Sequence, residues 1–236
     1  MPDGPPASAV VAAAGSGERL GAGGPKAFVR LAGRALIDWS LDAFARAESV
    51  GPVIVALPPG YEAELGDGVA TVAGGEHRSQ SVAAALERVE TELVAVHDAA
   101  RPLVTAELID ELIAKLASRP DADGVIAAAA LADTVKRSRQ PRPAKGNLAR
   151  GDPTVAQTVS RDHLWAAQTP QVFRTAALRE ALDTDPQRVA AATDDAMLVE
   201  NAGGTVLIHP APAQNLKVTT ELDLRVAELL LAERGS

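Results

Sequence analysis

Residues 9–26 read AVVAAAGSGERLGAGGPK, and this stretch indicates the architecture of the chain. The apolar run over residues 9–14 is typical of a buried strand, and a glycine-rich segment follows where that strand would end. Glycines let the backbone approach an anion closely and point its N–H groups toward it. Because open α/β sheets bind ligands beyond the carboxyl ends of their strands, the stretch predicts a ligand-binding loop after the first strand of such a sheet.

The rest of the chain alternates between short apolar runs and segments with helical spacing. The apolar runs predict strands at residues 52–57, 69–73, 93–97, 124–129 and 206–209. The helical spacing predicts helices at residues 36–47, 79–89, 105–116, 193–201 and 221–233. This order predicts an α/β fold with a mostly parallel, doubly wound sheet that helices cover on both faces. A length of 236 residues fits one domain spanning 1–236.

Composition excludes several classes of protein. With no cysteine among 236 residues, a disulfide framework, a thiolate zinc site and a cysteine nucleophile are excluded. The net charge of -8 argues against nucleic acid as a partner, although local basic groups can still hold a small anion. No apolar run approaches the ~20 residues that cross a bilayer, and the start MPDGPPAS lacks the pattern of a signal peptide. We therefore expect a cytoplasmic protein with no membrane partner.

One basic segment interrupts the alternation. Residues 136–151 read KRSRQPRPAKGNLARG, with six basic residues and no acidic one. Strand-like residues precede it at 133–135 and follow it at 154–159. The segment is either a solvated loop or the tip of a hairpin arm that extends from the sheet.

The glycine-rich loop carries two cations, Arg19 and Lys26. A dinucleotide-binding loop would have a third glycine where Leu20 stands, and the Gly-Lys-Ser/Thr of a Walker loop is absent. Two cations beside a glycine turn suit a triphosphate whose charge must be neutralised during group transfer. An ordinary glycine turn with surface charges fits the spacing equally well.

Other polar islands follow the predicted strands. Residues 74–81 read GGEHRSQS at the start of a helix, where an anion can bind or Ser79 can simply cap the helix. Asp98 and Arg101 follow the strand at 93–97, so Asp98 is a candidate for holding Mg²⁺ or a ligand hydroxyl. A buried Asp98–Arg101 pair that shapes the turn is the alternative. Further polar islands lie at 158–171, 193–195 and 215–219.

Taken together and in this order, the islands resemble one family. The segments are AAAGSGERLG with PKAF, GGEHRSQSV, VHDAARP, DTVKR, TVSRDHLW with AQTPQVF, ATDDA, and NLKVT. They are similar to those of the 2-C-methyl-D-erythritol 4-phosphate cytidylyltransferases of non-mevalonate isoprenoid biosynthesis, from residue 10 to about residue 230. HDAARP and NLKVT in register are more specific than the glycine-rich loop, which many nucleotidyltransferases share.

The resemblance implies a fold, substrates and a role for each matching residue. The fold is Rossmann-like, of the nucleotide-diphospho-sugar transferase type, with a protruding β-arm at about 133–163 that joins a homodimer. The substrates are CTP and methylerythritol phosphate, with Mg²⁺ as the cofactor.

The implied catalytic residues are Arg19, Lys26, Arg161 and Lys217. The implied nucleotide-binding residues are Ala13, Ala14, Gly15, Gly17, Gly75, Glu76, Ser81 and Ala99. The implied substrate-binding residues are Asp98 (also the candidate metal ligand), Arg101, Thr134, Thr169 and Thr193. Thr134 and Arg161 lie on or near the arm and so are expected to serve the partner subunit's site.

Three alternatives remain at the level of sequence. A cytidylyltransferase for another polyol phosphate, such as ribitol 5-phosphate, would share the nucleotide loop and differ around Asp98, Arg101 and Thr193. A Rossmann oxidoreductase is disfavoured by Leu20 and by the absence of an acidic residue at the end of the second strand. A non-catalytic nucleotide-binding protein is disfavoured by the joint presence of Arg19, Lys26 and Lys217.

Overall fold

Apolar strands and amphipathic helices alternate through the computed structural model, which describes residues 7–15, 17, 24–139 and 153–234. Its strands are β1 (Ala7–Ala12), β2 (Arg30–Leu31), β3 (Arg34–Ala35), β4 (Val50–Leu57), β5 (Val69–Ala73), β6 (Leu93–Asp98), β7 (Gly124–Ala130), β8 (Val135–Arg139), β9 (Thr154–Val159), β10 (Trp165–Arg174) and β11 (Val206–Pro210). Its helices are α1 (Leu36–Arg46), α2 (Arg78–Leu86), α3 (Ala106–Ala117), α4 (Thr175–Leu182), α5 (Pro186–Ala191), α6 (Asp195–Asn201) and α7 (Glu221–Arg234).

Seven strands form the central sheet in the order β11-β7-β10-β6-β1-β4-β5. β1 pairs in parallel with β4 on one side and with β6 on the other, so the strand order reverses beside β1. β10 is antiparallel to both of its neighbours, β6 and β7, and the other pairs of the sheet are parallel. Ligands bind in open sheets where the strand order reverses, which here is the carboxyl edge of β1 and β6.

Helices cover the sheet on both faces because successive strand residues point to opposite sides. Val11 packs in the cluster that holds Phe44 of α1 and Leu112 of α3. Its neighbour Val10 packs in the other cluster, with residues of α2, α4 and α6. The predicted mostly parallel, doubly wound α/β fold is therefore confirmed.

The main departure from the sequence prediction lies between residues 165 and 192. The long strand β10 and the helices α4 and α5 were not predicted, and β10 supplies the one antiparallel member of the described central sheet. The helix expected from residue 79 begins at Arg78, with His77 as its N-cap, so the assignment of Ser79 as a cap is wrong. Thr105 does cap α3, since its Oγ1 accepts from the backbone N–H of Leu108 at 3.3 Å.

β8 and β9 pair with each other in a separate antiparallel sheet of two strands. Most of their residues are exposed. The tip of the predicted arm, at 140–152, lies outside the described residues, so the arm subdomain at 133–163 and its dimer role stay predictions. Within the described ranges, no helix is long and apolar enough to cross a membrane.

Candidate active site

The loops after the parallel strands meet at one edge of the sheet and enclose a cavity of about 490 Å³. Ala12 and Asp98 are register partners at the ends of β1 and β6, which brings the two following loops together. The cavity is lined by the predicted nucleotide residues Ala13, Ala14, Gly15, Gly17, Gly75, Glu76, Ser81 and Ala99, and also by Lys26. The structure places these residues in the wall of one cavity, and their contacts with a nucleotide stay predictions.

Close packing and backbone conformation account for two glycines, Gly74 beside the cavity and Gly17 in its wall. A Cβ at Gly74 would lie 2.7 Å from Ala14 Cβ and 2.7 Å from Ser81 Oγ. Gly17 has a φ of +75°, in the left-handed region that favours glycine. The Gly75 N–H donates to Ser81 Oγ at 3.1 Å, and the Lys26 N–H donates to the Gly15 carbonyl at 3.0 Å. These two hydrogen bonds hold the backbone of both loops in place in the wall of the cavity.

A second cavity of about 240 Å³ adjoins the first. The predicted substrate residues Arg101, Thr169 and Thr193 lie in its wall. Its wall and that of the larger cavity have three residues in common, namely Arg78, Asp98 and Lys217. The two cavities thus meet along a partition that is made of charged side chains.

The shared partition is a chain of ion pairs. Lys217 Nζ lies 2.7 Å from Asp98 Oδ2, and Arg78 Nε lies 2.8 Å from Asp98 Oδ1. Arg78 Nη1 continues the chain to Asp195 Oδ2 at 2.6 Å. Burial alone would raise the pKa of Asp98, but the charges of Arg78 and Lys217 together hold it well below its usual range. Asp98 is therefore a fixed carboxylate with both oxygens engaged.

A buried network holds Lys217 at the partition. The loop before α7 is tied down by Asn215, whose Nδ2 donates to the Thr169 carbonyl at 2.9 Å and to Gln168 Oε1 at 3.0 Å. The Val218 N–H donates to the Ala100 carbonyl at 2.8 Å, and the Val218 side chain is fully buried. The loop is therefore anchored on both sides of Lys217, by Asn215 and by Val218, and the Lys217 ammonium lies against Asp98.

Thr169, itself held by His97, fixes the backbone of Asp98 through a buried hydrogen bond. The Asp98 N–H donates to Thr169 Oγ1 at 3.0 Å, and the Thr169 hydroxyl lies 3.0 Å from His97 Nδ1. His97 Nε2 lies 3.2 Å from the Arg101 carbonyl, which can only accept, so Nε2 carries the proton and Nδ1 accepts from Thr169. Burial lowers the pKa of His97 to about 3, which keeps the ring neutral.

The buried neutral His97 predicts a dependence of stability on pH. The unfolded chain takes up a proton on this ring below its ordinary pKa of 6.5, whereas the folded chain does so only near 3. The free energy of unfolding should therefore fall as the pH is lowered through this window, by up to about 1.4 kcal/mol per pH unit from this one group. Urea unfolding at stepped pH measures the slope. NMR signals of the His97 ring that move between pH values of about 8 and 5 would contradict the expectation.

Three described site residues have contacts or positions that differ from the expectation, and a fourth is not described. Arg101 does not pair with Asp98, since its guanidinium donates to the carbonyls of Asn215 at 2.8 Å and Ala167 at 3.3 Å. The alternative of a buried Asp98–Arg101 pair is therefore wrong. Thr134 and Arg161 are exposed and line neither cavity of this chain, and the Arg161 guanidinium donates to the Ala132 carbonyl. Arg19 lies outside the described residues.

The sequence interpretation missed Arg78 and Asp195. Arg78 lies inside the quoted segment 74–81, and Asp195 lies inside ATDDA, but neither was assigned a role. A carboxylate at the end of a buried strand needs a cation, and Arg78, at the start of the preceding helix, was an available signal. Nothing in the linear pattern indicates that Asp195, 117 residues later, pairs with it.

The described residues do not fit a divalent cation held by protein ligands alone. Among them, no group of three or more His, Asp or Glu side chains is arranged to hold a metal ion. Asp98, the candidate metal ligand, has both oxygens engaged by cations. Mg²⁺ in proteins is commonly held by substrate phosphates and water with one or two carboxylates, so an ion here would depend mainly on phosphate oxygens and water.

Comparison with known proteins agrees with this geometry. Residues 7–233 match the family described as IspD: 2-C-methyl-D-erythritol 4-phosphate cytidylyltransferase. The chain belongs to this family. It is 41% identical to the 2-C-methyl-D-erythritol 4-phosphate cytidylyltransferase of Deinococcus radiodurans, with 96% of this chain and 90% of that protein covered. It is 40% identical to the enzyme of the same name from Azoarcus sp. strain BH72, with 96% and 94% covered.

The fold of this chain also matches that of a solved enzyme of the IspD family. The crystal structure of 2-C-methyl-D-erythritol 4-phosphate cytidylyltransferase from Thermus thermophilus matches with a TM-score of 0.74 and 34% identity. The match covers 94% of this chain and 98% of that one. The family expectation drawn from the sequence islands is therefore confirmed.

Proposed function

We propose that this chain transfers CMP from CTP to 2-C-methyl-D-erythritol 4-phosphate, and so forms 4-diphosphocytidyl-2-C-methyl-D-erythritol and pyrophosphate in non-mevalonate isoprenoid biosynthesis. The observation that carries the proposal is the pair of cavities with a common wall of Arg78, Asp98 and Lys217. A nucleotide in the larger cavity and a phosphorylated acceptor in the smaller one would meet at this wall. Membership of the IspD family selects CTP and methylerythritol phosphate as the two substrates.

The larger cavity is the proposed nucleotide site. The backbone of Gly15 and Gly17 faces the phosphates, and the segment from Gly75 to Ser81 faces the base and ribose. Lys26 lies in the wall of the cavity, and its backbone is tied to Gly15. In the proposal, Lys26 and Arg19 neutralise the charge that spreads over the α-phosphate in the transition state.

The proposed reaction needs no strong general base. The acceptor phosphate is already an anion, and one of its oxygens bonds to the α-phosphorus of CTP while the bond from that phosphorus to the bridging oxygen breaks and pyrophosphate leaves. Asp98 is unsuited to proton abstraction because pairing with Arg78 and Lys217 keeps its pKa far below neutrality. Catalysis then consists of alignment and charge neutralisation.

The smaller cavity is the proposed acceptor site. Its cations oppose the repulsion between two polyanions, and two of them, Lys217 and Arg78, line both cavities. Asp98 can accept from an acceptor hydroxyl once Lys217 turns to the phosphate. The Thr169 hydroxyl is committed to the Asp98 N–H and to His97, so we propose that Thr169 acts on the acceptor through the placement of Asp98.

The proposal has three further elements. We propose a homodimer in which the β8–β9 strands lie against a second copy, since both strands are exposed, with Thr134 just before β8 and Arg161 just after β9. Mg²⁺ enters the proposal as an ion bound together with the nucleotide phosphates, and the cytoplasm as the place of the reaction.

Release of pyrophosphate tests the proposed function. Purified protein with CTP, Mg²⁺ and methylerythritol phosphate should release pyrophosphate in step with loss of CTP. The same assay with ribitol 5-phosphate serves as the control for acceptor identity. Release with ribitol 5-phosphate, and none with methylerythritol phosphate, would overturn the substrate assignment.

A further inference from the structure

Arg78 stands in the wall between the two cavities without an assigned role. It is the first residue of α2, and the His77 N–H before it is held by Gln80 Oε1 at 3.0 Å. Its guanidinium donates from Nε to Asp98 and from Nη1 to Asp195, so two carboxylates hold its two edges. An Arg side chain held in this way has a fixed plane, because the donors of the guanidinium form a rigid fork.

Asp195 is completely buried at the first position of α6. Within the part of the chain that the structure describes, its carboxylate bonds only to Arg78. Burial raises the pKa of Asp195, which the charge of Arg78 opposes. A buried carboxylate is costly to stability unless it is paired, so Asp195 depends on the guanidinium of Arg78. Asp195 lines neither cavity, and its side chain is linked to the cavity wall by its hydrogen bond to Arg78.

The chain of charges runs Lys217, Asp98, Arg78, Asp195, and alternates in sign. When Lys217 turns from Asp98 to a phosphate, Asp98 retains Arg78 as its remaining cation. A triphosphate would attract Arg78 as well, since the attraction between unlike charges is strong in a partly dehydrated site. Asp195 opposes that movement, because it holds the guanidinium from the side opposite Asp98.

We infer that Arg78 is a positioning residue, locked by Asp195, that keeps Asp98 in place while Lys217 moves from Asp98 to the acceptor phosphate. The inference rests on the proposed function, because it assigns both residues to the transfer step. The inference gives different roles to the two cations that pair with Asp98. Lys217, which is 41% exposed, is free to move, whereas Arg78 stays where Asp195 anchors it.

Steady-state kinetics of D195N, R78A, R78K and the double variant R78A/D195N test the inference. D195N should lower kcat about tenfold and raise KM for the acceptor, with KM for CTP within about twofold of wild type. R78A should lower kcat/KM for the acceptor about a hundredfold, and R78K should recover part of that loss because it restores the charge. If Asp195 acts only through Arg78, the double variant should be no worse than R78A.

Asp185→Asn is the matched control, because Asp185 also stands at a helix start and accepts from the Gln187 N–H at 2.9 Å, away from both cavities. It should have wild-type kinetics. Thermal unfolding identifies any variant that fails to fold, and R78K then provides the second test. An active wild type with unchanged kinetics in D195N or R78K, or additive losses in the double variant, would overturn the inference alone. A wild type inactive with methylerythritol phosphate would overturn the proposed function and the inference with it.

Discussion

Lys217→Ala should lower kcat for pyrophosphate release by on the order of 10²- to 10³-fold. Lys217 is the ammonium that lines both cavities, and its Nζ lies 2.7 Å from Asp98 Oδ2. Without it, the acceptor phosphate must approach the α-phosphate against a stronger repulsion, because one of the cations that offset it is gone. The fold should persist, because the side chain is 41% exposed and Asp98 keeps Arg78. Steady-state pyrophosphate release with both substrates varied measures the effect.

Lys217→Ala should change the KM values for the two substrates unequally. KM for CTP should change little, since the glycine-rich loop and Lys26 remain, whereas KM for the acceptor should rise. Lys217→Arg should recover part of the rate because the charge is kept. Lys115→Ala is a matched control: Lys115 Nζ donates to the Ile208 carbonyl at 2.7 Å on a remote surface. A Lys217→Ala rate within about twofold of wild type would remove Lys217 from the proposed mechanism.

The fold follows from local signals wherever an element has an uninterrupted apolar pattern. The strands from β1 to β7 in the central sheet are short apolar runs, and the helices α1 and α3 have a clear apolar face. β10 was missed because its middle reads Gln168-Thr169-Pro170-Gln171, which is typical of a turn. These polar side chains are buried only because distant partners satisfy them, such as Asn215 for Gln168 and Asp194 for Gln171.

The candidate site, like the fold, has features that local sequence signals predict and features that they do not. Its location follows from glycines and polar residues at the ends of apolar strands, because parallel strands bring their carboxyl ends to one edge. The pairing inside the site does not follow from local pattern. Asp98 selects Arg78 and Lys217 rather than the nearby Arg101, and those partners lie 20 and 119 residues away in sequence. Only the packing of α2 and of the loop before α7 decides which cation reaches it.

Asp98→Asn should abolish most of the activity, with kcat lower by on the order of 10³-fold, and should also destabilise the protein. An amide cannot accept from two cations, because one side of it carries donor hydrogens that face Arg78 or Lys217. Lys217 can turn to water, but Arg78 is held by Asp195 and loses one of two partners. Removing one member of a buried pair costs about 3 kcal/mol. Pyrophosphate release and urea unfolding measure the two effects separately.

Asp110→Asn is the matched control for this substitution. Asp110 accepts from the N–H groups of Ser49 and Glu48 at 2.9 and 3.1 Å, and so loses hydrogen bonds of similar length on replacement while lining neither cavity. It should be somewhat less stable than wild type with an unchanged kcat. Asp98→Asn with reduced stability and a wild-type kcat would show that Asp98 only supports the fold.

The dependence on pH distinguishes a paired carboxylate from a merely well-packed one. The cations hold the pKa of Asp98 below its ordinary value of 3.8, so its contribution to stability is fully present above that value. As the pH falls below about 4, the unfolded chain protonates Asp98 while the folded chain does not, and the contribution is lost. The gap in unfolding free energy between wild type and Asp98→Asn should therefore be widest above pH ~5 and narrow toward pH ~2. A gap that stays constant over this range would mean that shape, and not the two ion pairs, sets the requirement for Asp98.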